Sequence, residues 1–287
     1  VDAVARVQLG EQTGDIGLDR GDAEEELFGE WFAFWSLRST RWGFILGVVG
    51  LVVLNFNAAI ADVNDWANFS AQQRAQFAPF GSLAASFTNN ACIATLLIAG
   101  SLGAVALLSE YSTGQIRTTF AAVPARRALL SAEITVLTVV MTGFGVLATA
   151  ASFWVSQAVL SSKHVGISIT EPGIWRALLA SALLPPVCAL TGLGLAALIR
   201  HSVATIVGTT TVLLLIPNFM SDNHYWSACL YQATPFRAWQ VLHDLIGTPV
   251  NPHIPFPAQP SGEWWVYLGW ALGGVLVTLL FGSRRDV

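Results

Sequence analysis

Six apolar stretches, at 42–60, 82–108, 130–158, 174–199, 203–220 and 264–281, alternate with polar connections along almost the whole chain. This alternation leaves little room for any fold but a bundle of membrane-crossing helices. The hydrocarbon core of a bilayer is about 30 Å thick and takes roughly 20 apolar residues in helical form. Lipid offers the backbone no hydrogen-bond partner, so each crossing must satisfy itself, and a helix does. Composition agrees, with 54% hydrophobic and 11% charged residues, where a soluble domain carries about 25% charged. The expected fold class is all-α, a polytopic membrane protein with six transmembrane helices.

Within these stretches a few residues break the apolar pattern. Gly43 and Gly47 form one GxxxG and Gly269 and Gly273 a second. Either permits close helix packing, a dimer seam being one option. Pro185 and Pro186 fall in the middle of the fourth stretch and are expected to kink or break it. Arg200, His201 and Ser202 leave room only for a very tight turn before the fifth stretch. Glu133 stands near the start of the third stretch, where a helix N-terminus and nearby water would ease its charge.

Outside the stretches, 1–22 is polar, Gly-rich and acidic, and is expected to be a flexible tail; no cleavable leader is evident. Residues 23–41 space Leu27, Phe28, Trp31, Phe32 and Trp35 helically, as an amphipathic helix at the membrane interface would. The connections at 61–79 and 161–173 read as loops. Residues 221–263 are too polar and Pro-rich to cross. Within them Phe236, Trp239, Leu242 and Ile246 recur on one helical face, with Arg237, Gln240 and Asp244 off it.

Basic residues set the orientation. Arg38, Arg41, Arg117, Arg126, Arg127, Arg200, Arg284 and Arg285 fall at one set of ends. Arg74, Lys163, Arg176 and Arg237 fall at the other. The richer side is expected in the cytoplasm, with both termini. Trp66, Trp154, Trp175, Trp226, Trp264 and Trp265 then mark the outer interface.

The longest central polar interruption, 109–127, reads SEYSTGQIRTTFAAVPARR. Ser112 and Gln115 have capping-box spacing, so a helix should start near Thr113. Ile116, Phe120 and Val123 share a face, and Pro124 should stop the helix. A short amphipathic helix either lies on lipid headgroups or fills a groove on a soluble partner. Glu110, Tyr111, Gly114, Arg117, Thr118, Pro124, Arg126 and Arg127 resemble a run found in the transmembrane subunits (permeases) of type-2 ATP-binding-cassette exporters. Relatives often have Lys where this chain has Glu133.

The resemblance implies that 109–127 is a cytosolic coupling helix contacting a separate ATPase subunit through Glu110, Gly114, Arg117, Phe120, Pro124, Arg126 and Arg127. It implies that 23–41 is a connecting helix before a six-span domain at 42–287, and that 221–263 holds a re-entrant segment. A plain interfacial anchor and a helix on the outer leaflet are the respective alternatives. It further implies a second permease subunit, the same or related. ATP and Mg would sit on the partner ATPase, with no cofactor on this chain. Lipid is the expected surroundings and nucleic acid is not an expected partner. The implied location is a bacterial cell membrane, and the implied cargo a drug, lipid or peptide-like molecule.

Other chemistries find little support in the residues. The chain has no GxxxxGK[ST] loop for ATP, no HExxH and no GxSxG. Its three cysteines form no CxxC pair, so neither a zinc site nor a disulfide framework is expected. His224, His243, Asp222 and Asp244 read as solvated loop residues. Mid-span ionisable groups of the kind ion-coupled carriers use are scarce. The alternative function is an ATPase-independent carrier or an assembly subunit. One polar set remains: Asn55, Asn57, Thr88, Asn89, Asn90 and Asn218 fall in the outer halves of spans, with Thr209, Thr210 and Thr211 nearer mid-depth. They form either a polar outer vestibule on the substrate path or hydrogen bonds between helices.

Overall fold

Helix supplies the regular structure of the described residues, and no strand occurs among them. The computed structural model describes residues 29, 31, 38–77, 80–113, 126–220, 224–244 and 260–284. In chain order the helices are α1 (Arg38–Asp65), α2 (Ala71–Phe77), α3 (Phe80–Ser86), α4 (Asn89–Thr113) and α5 (Arg126–Leu160). They continue with α6 (Ile174–Ile199), α7 (Ser202–Asn218), α8 (Tyr225–Gln232), α9 (Pro235–His243) and α10 (Pro260–Arg284).

Among the described residues, five segments are long and apolar enough to cross a membrane: Thr40–Asp65, Phe80–Leu108, Leu130–Lys163, Ile174–Ile199 and Gly262–Gly282. Apart from a break at 87–88 these crossings are helical, as a multi-pass membrane protein requires. The fifth expected span, α7, falls short. Its 17 residues reach about 25 Å at 1.5 Å per residue, less than a hydrocarbon core. It also contains a π-turn at Thr211–Leu215. Pro217, two residues on, lacks the N–H that Leu213 would receive in a regular helix.

Several expected boundaries move. The first helix runs unbroken from Arg38 to Asp65, so no joint separates a connecting helix from the first span at 41–42; most of 23–37 lies outside the described residues. The expected 61–79 loop is partly helical, because Ser70 and Gln73 cap α2 reciprocally. The expected second span is interrupted at 87–88 into α3 and α4. Conversely, α6 is not broken by Pro185 and Pro186. Neighbours enclose it, with 78% of its most apolar window buried against 22% for α1 and α10. Ser112, expected to cap a new helix, instead sits in the last turn of α4.

Helix α6 is the hub, packed by α4, α5, α7, α9 and α10. Glycine makes that possible. A Cβ on Gly103 of α4 would lie 2.0 Å from the Ala189 carbonyl oxygen, and one on Gly192 would lie 2.1 Å from that of Gly100. The same holds for Gly145 of α5 against Ala182 (2.0 Å) and for Gly274 of α10 against Leu190 (2.3 Å). Backbone thus meets backbone along three sides of one helix, the geometry that small residues allow between helices in lipid. The two GxxxG pairs divide. Gly47 lies under Phe144, whose ring meets Phe44 edge-on at 5.3 Å, so the first pair is an internal seam. Gly269 and Gly273 have open space over them, while the next residue, Gly274, makes the contact.

At one end of the bundle α6 stops on Arg200 in a left-handed conformation (φ 57°), and the His201 ring accepts from the Ala204 N–H to start α7. This is the expected tight turn. Arg200 also donates to the Phe281 carbonyl at 2.8 Å, tying the end of α10 to the end of α6. Leu130, near the start of α5, packs over Gly282 at the same end. Glu133 is buried two turns into α5, beyond the first turn where a helix dipole eases a charge, so that expected explanation does not hold.

Candidate functional site

The arginine-rich end carries the flanks of the 109–127 segment. Glu110 lies in the last turns of α4, and Arg126 and Arg127 open α5. Gly114, Arg117, Phe120 and Pro124 lie outside the described residues.

The opposite half of the bundle holds the polar residues, and the break at 87–88 organises them. Thr88 caps α4 by accepting from the Ala91 N–H at 3.1 Å. Its own N–H and hydroxyl both donate to Oδ1 of Asn55 on α1, at 3.0 and 3.1 Å. One side chain thus serves the backbone group that the break frees and the cap that begins the next helix. The preceding turn, α3, is held from α5. Gln157 donates to the Ser86 hydroxyl at 2.9 Å and to the Ser82 carbonyl at 3.3 Å, and accepts from the Ile167 N–H at 2.8 Å. Ser82 donates to the Val165 carbonyl.

Helix α9 closes this region from the side. Its expected apolar face is real: Trp239 and Leu242 are buried and Phe236 packs on the core. Ile246 lies outside the described residues. Trp239 donates to the Ser181 hydroxyl of α6 at 3.0 Å. Arg176, in the first turn of α6, reaches over the end of α9 and donates to the carbonyls of Leu242 (2.9 Å) and Asp244. The first is a last-turn carbonyl and the second that of the C-cap residue, and a cation is the group best suited to a helix C-terminus.

His243 is not the solvated loop residue the sequence suggests. Its ring stacks on Trp239 (centroids 4.9 Å, planes 15° apart), Phe87 meets it edge-on at 5.8 Å, and Nε2 is buried without a partner among the described residues. Burial pushes the imidazole down to about 4; Leu83 backbone and Asp244 oppose this, and Arg176 adds to it. The ring is therefore neutral at pH 7. Earlier on α9, Arg237 covers the Tyr231 ring at 5.2 Å and lies within electrostatic reach of Glu263, which is buried in the first turn of α10.

Of the expected vestibule residues, the fold brings together Asn55 and Thr88. Asn89 reaches Gln240 of α9 only at 3.5 Å, and Asn57, Asn90 and Asn218 are exposed. Thr209 is buried against Gly100 of α4, with its hydroxyl on the Thr205 carbonyl. Thr210 is half-buried, and Thr211 bonds the Val207 carbonyl. The sequence reading missed Thr149, Ser152, Ser156 and Gln157, which line the buried face of α5. The steps of three and four from Thr149 to Ser152 to Ser156 inside an apolar run were the available signal.

A cavity of about 30 Å³ lies at the centre of this polar region, lined by Asn55, Thr88, Thr149, Ser152, Ser181 and Trp239 among others. A second, larger space of about 430 Å³ is an apolar groove between α6 and α10, lined by Leu198, Gly269, Trp270 and Gly273 among others. Among the described residues no group of His, Cys, Asp and Glu could hold a metal ion. No protein-family model matches the chain, and no curated protein matches it.

Proposed function

We propose that the chain is the transmembrane subunit of an ATP-driven exporter of the type-2 ATP-binding-cassette kind. In this reading α7 counts as a sixth, short crossing. Both termini lie in the cytoplasm of a bacterial cell, and two such subunits pair with two ATPase subunits. Glu110, Gly114, Arg117, Phe120, Pro124, Arg126 and Arg127 form the docking segment. ATP and Mg belong to the partner, whose closure pushes on that segment and opens the polar half outward.

The observation that supports the proposal is where the flanks of the motif stand. Helix α4 ends and α5 begins at the end of the bundle that also carries Arg200 and the close of α10. The described helix ends that flank 114–125 therefore both lie on the arginine-rich side, where the positive-inside rule puts the cytoplasm. A second support is that α9, directly before the last crossing, is wedged against α6 and α10 rather than free of the bundle.

The test is a mild-detergent pull-down of the tagged chain, with mass spectrometry and an ATPase assay on the eluate. A nucleotide-binding subunit that co-purifies, and is lost with R117E or F120A, is the expected result. A chain that purifies alone while its neighbours are expressed would remove the exporter reading and leave 109–127 as a lipid-facing segment.

A further inference from the structure

Two places where a backbone group loses its helical hydrogen bond face the same small cavity. One is the break at 87–88, whose residues both line it. The other is the proline pair of α6. Pro185 lines the cavity together with Ser181, and because Pro185 has no N–H the Ser181 carbonyl loses its helical partner. At membrane depth such backbone is tolerated only where protein or water satisfies it. Trp239 occupies the Ser181 hydroxyl, not the carbonyl.

The other walls offer matching groups. On α5, Thr135, Thr138 and Thr142 each donate to the carbonyl four residues back, at 2.7 Å. Thr149 and Ser152, on the same helix, make no such bond among the described residues, and both line the cavity. Asn55 commits its oxygen to Thr88, and its amide nitrogen has no protein partner among the described residues. No charged residue lines the space, which excludes an ionic ligand held by a counter-charge. Its volume of about 30 Å³ exceeds the roughly 10–15 Å³ that one water needs, and a buried water wants two to four polar partners.

We infer that this cavity is a built water site. Roughly one or two ordered waters join the Ser181 carbonyl to the hydroxyls of Thr149 and Ser152 and to the Asn55 amide. They supply the donor that Pro185 lacks and so keep α6 continuous through its prolines. The inference is independent of the exporter reading, since it concerns packing within one chain.

Hydroxyl-radical footprinting of the whole chain in lipid nanodiscs tests it, because radicals formed from water held in this partly open pocket mark the residues beside it. Cys92 lines the cavity, whereas Cys188, equally buried and of the same chemistry, does not. Several-fold more label on Cys92 than on Cys188 is expected; equal, low label on both overturns the inference. Ala148→Val, which intrudes into the cavity, should bring Cys92 down to the Cys188 level, and persistent label in a folded variant also overturns it. If that variant does not fold, Thr149→Val decides. Loss of a water-bonded hydroxyl lowers the thermal midpoint by a few degrees, while loss of a hydroxyl in a dry cavity raises it.

Discussion

Replacing Gly103 by alanine tests whether α6 is held by backbone-to-backbone contact. The new Cβ would lie 2.0 Å from the Ala189 carbonyl oxygen and within 2.7 Å of its carbon atoms, where ordinary contact begins at 3.4 Å. The obstacle is backbone, so no side chain can rotate away, and α4 must part from α6 by more than an ångström. Overpacking a close contact costs about 1–3 kcal/mol, and rigid backbone places this case at the top of that range or above it. Alanine returns about 0.5–1 kcal/mol because it favours helix over glycine. The net expectation is a loss of about 2 kcal/mol or more. Gly143→Ala is the internal control: nothing lies within 4 Å of its Cβ position, so helix preference alone acts and stability rises by up to about 1 kcal/mol. Unfolding by graded denaturing detergent in mixed micelles, followed by tryptophan fluorescence, reads both. If the two variants shift the midpoint in the same direction and by the same amount, the seam is not what holds α4 to α6.

Three further outcomes follow from the polar half. His243 in the folded chain resists protonation down to about 4 against 6.5 in the open chain. Its contribution is whole above pH 6.5 and is lost as pH falls toward 4, by at most about 3 kcal/mol; His243→Phe should flatten that part of the stability–pH profile, and an unchanged slope would refute the burial argument. Arg176→Met removes both donors from the end of α9, so amide exchange at 235–244 should speed up while the middle of α6 stays protected; unaltered exchange there means that the arginine clip holds nothing. Asn55→Leu leaves the Thr88 N–H and hydroxyl without their acceptor and should cost about 1–3 kcal/mol in the same micelle titration, more than Asn57→Leu at an exposed position.

How much of this was legible beforehand differs by element. The apolar face of α9 was readable because Phe236, Trp239 and Leu242 repeat at helical steps, and the same steps persist in the fold. The turn at Arg200 was readable because so few residues separate two apolar runs. The break at 87–88 was not, since Ser82 to Leu108 carries no proline and the break is held by Asn55 from another helix. The prolines of α6 misled for the converse reason. Local chemistry argues for a break there, and enclosure on nearly every side overrides it. Gly269 and Gly273 were marked by their spacing, but spacing cannot say which face a neighbour occupies, and Gly274 is the residue that meets α6.

Hydrophobicity, charge bias and chain order by themselves determined that this protein is a bundle of apolar helices, with more of its arginines at one set of ends than at the other. Those properties belong to each segment alone and survive any packing. Only the tertiary structure decided that α6 is the hub, that Asn55 and Thr88 meet while Asn57 and Asn218 do not, and that His243 is buried and neutral. Each of these depends on which faces are opposed across separate helices, and a pattern local to one helix carries no information about its neighbour.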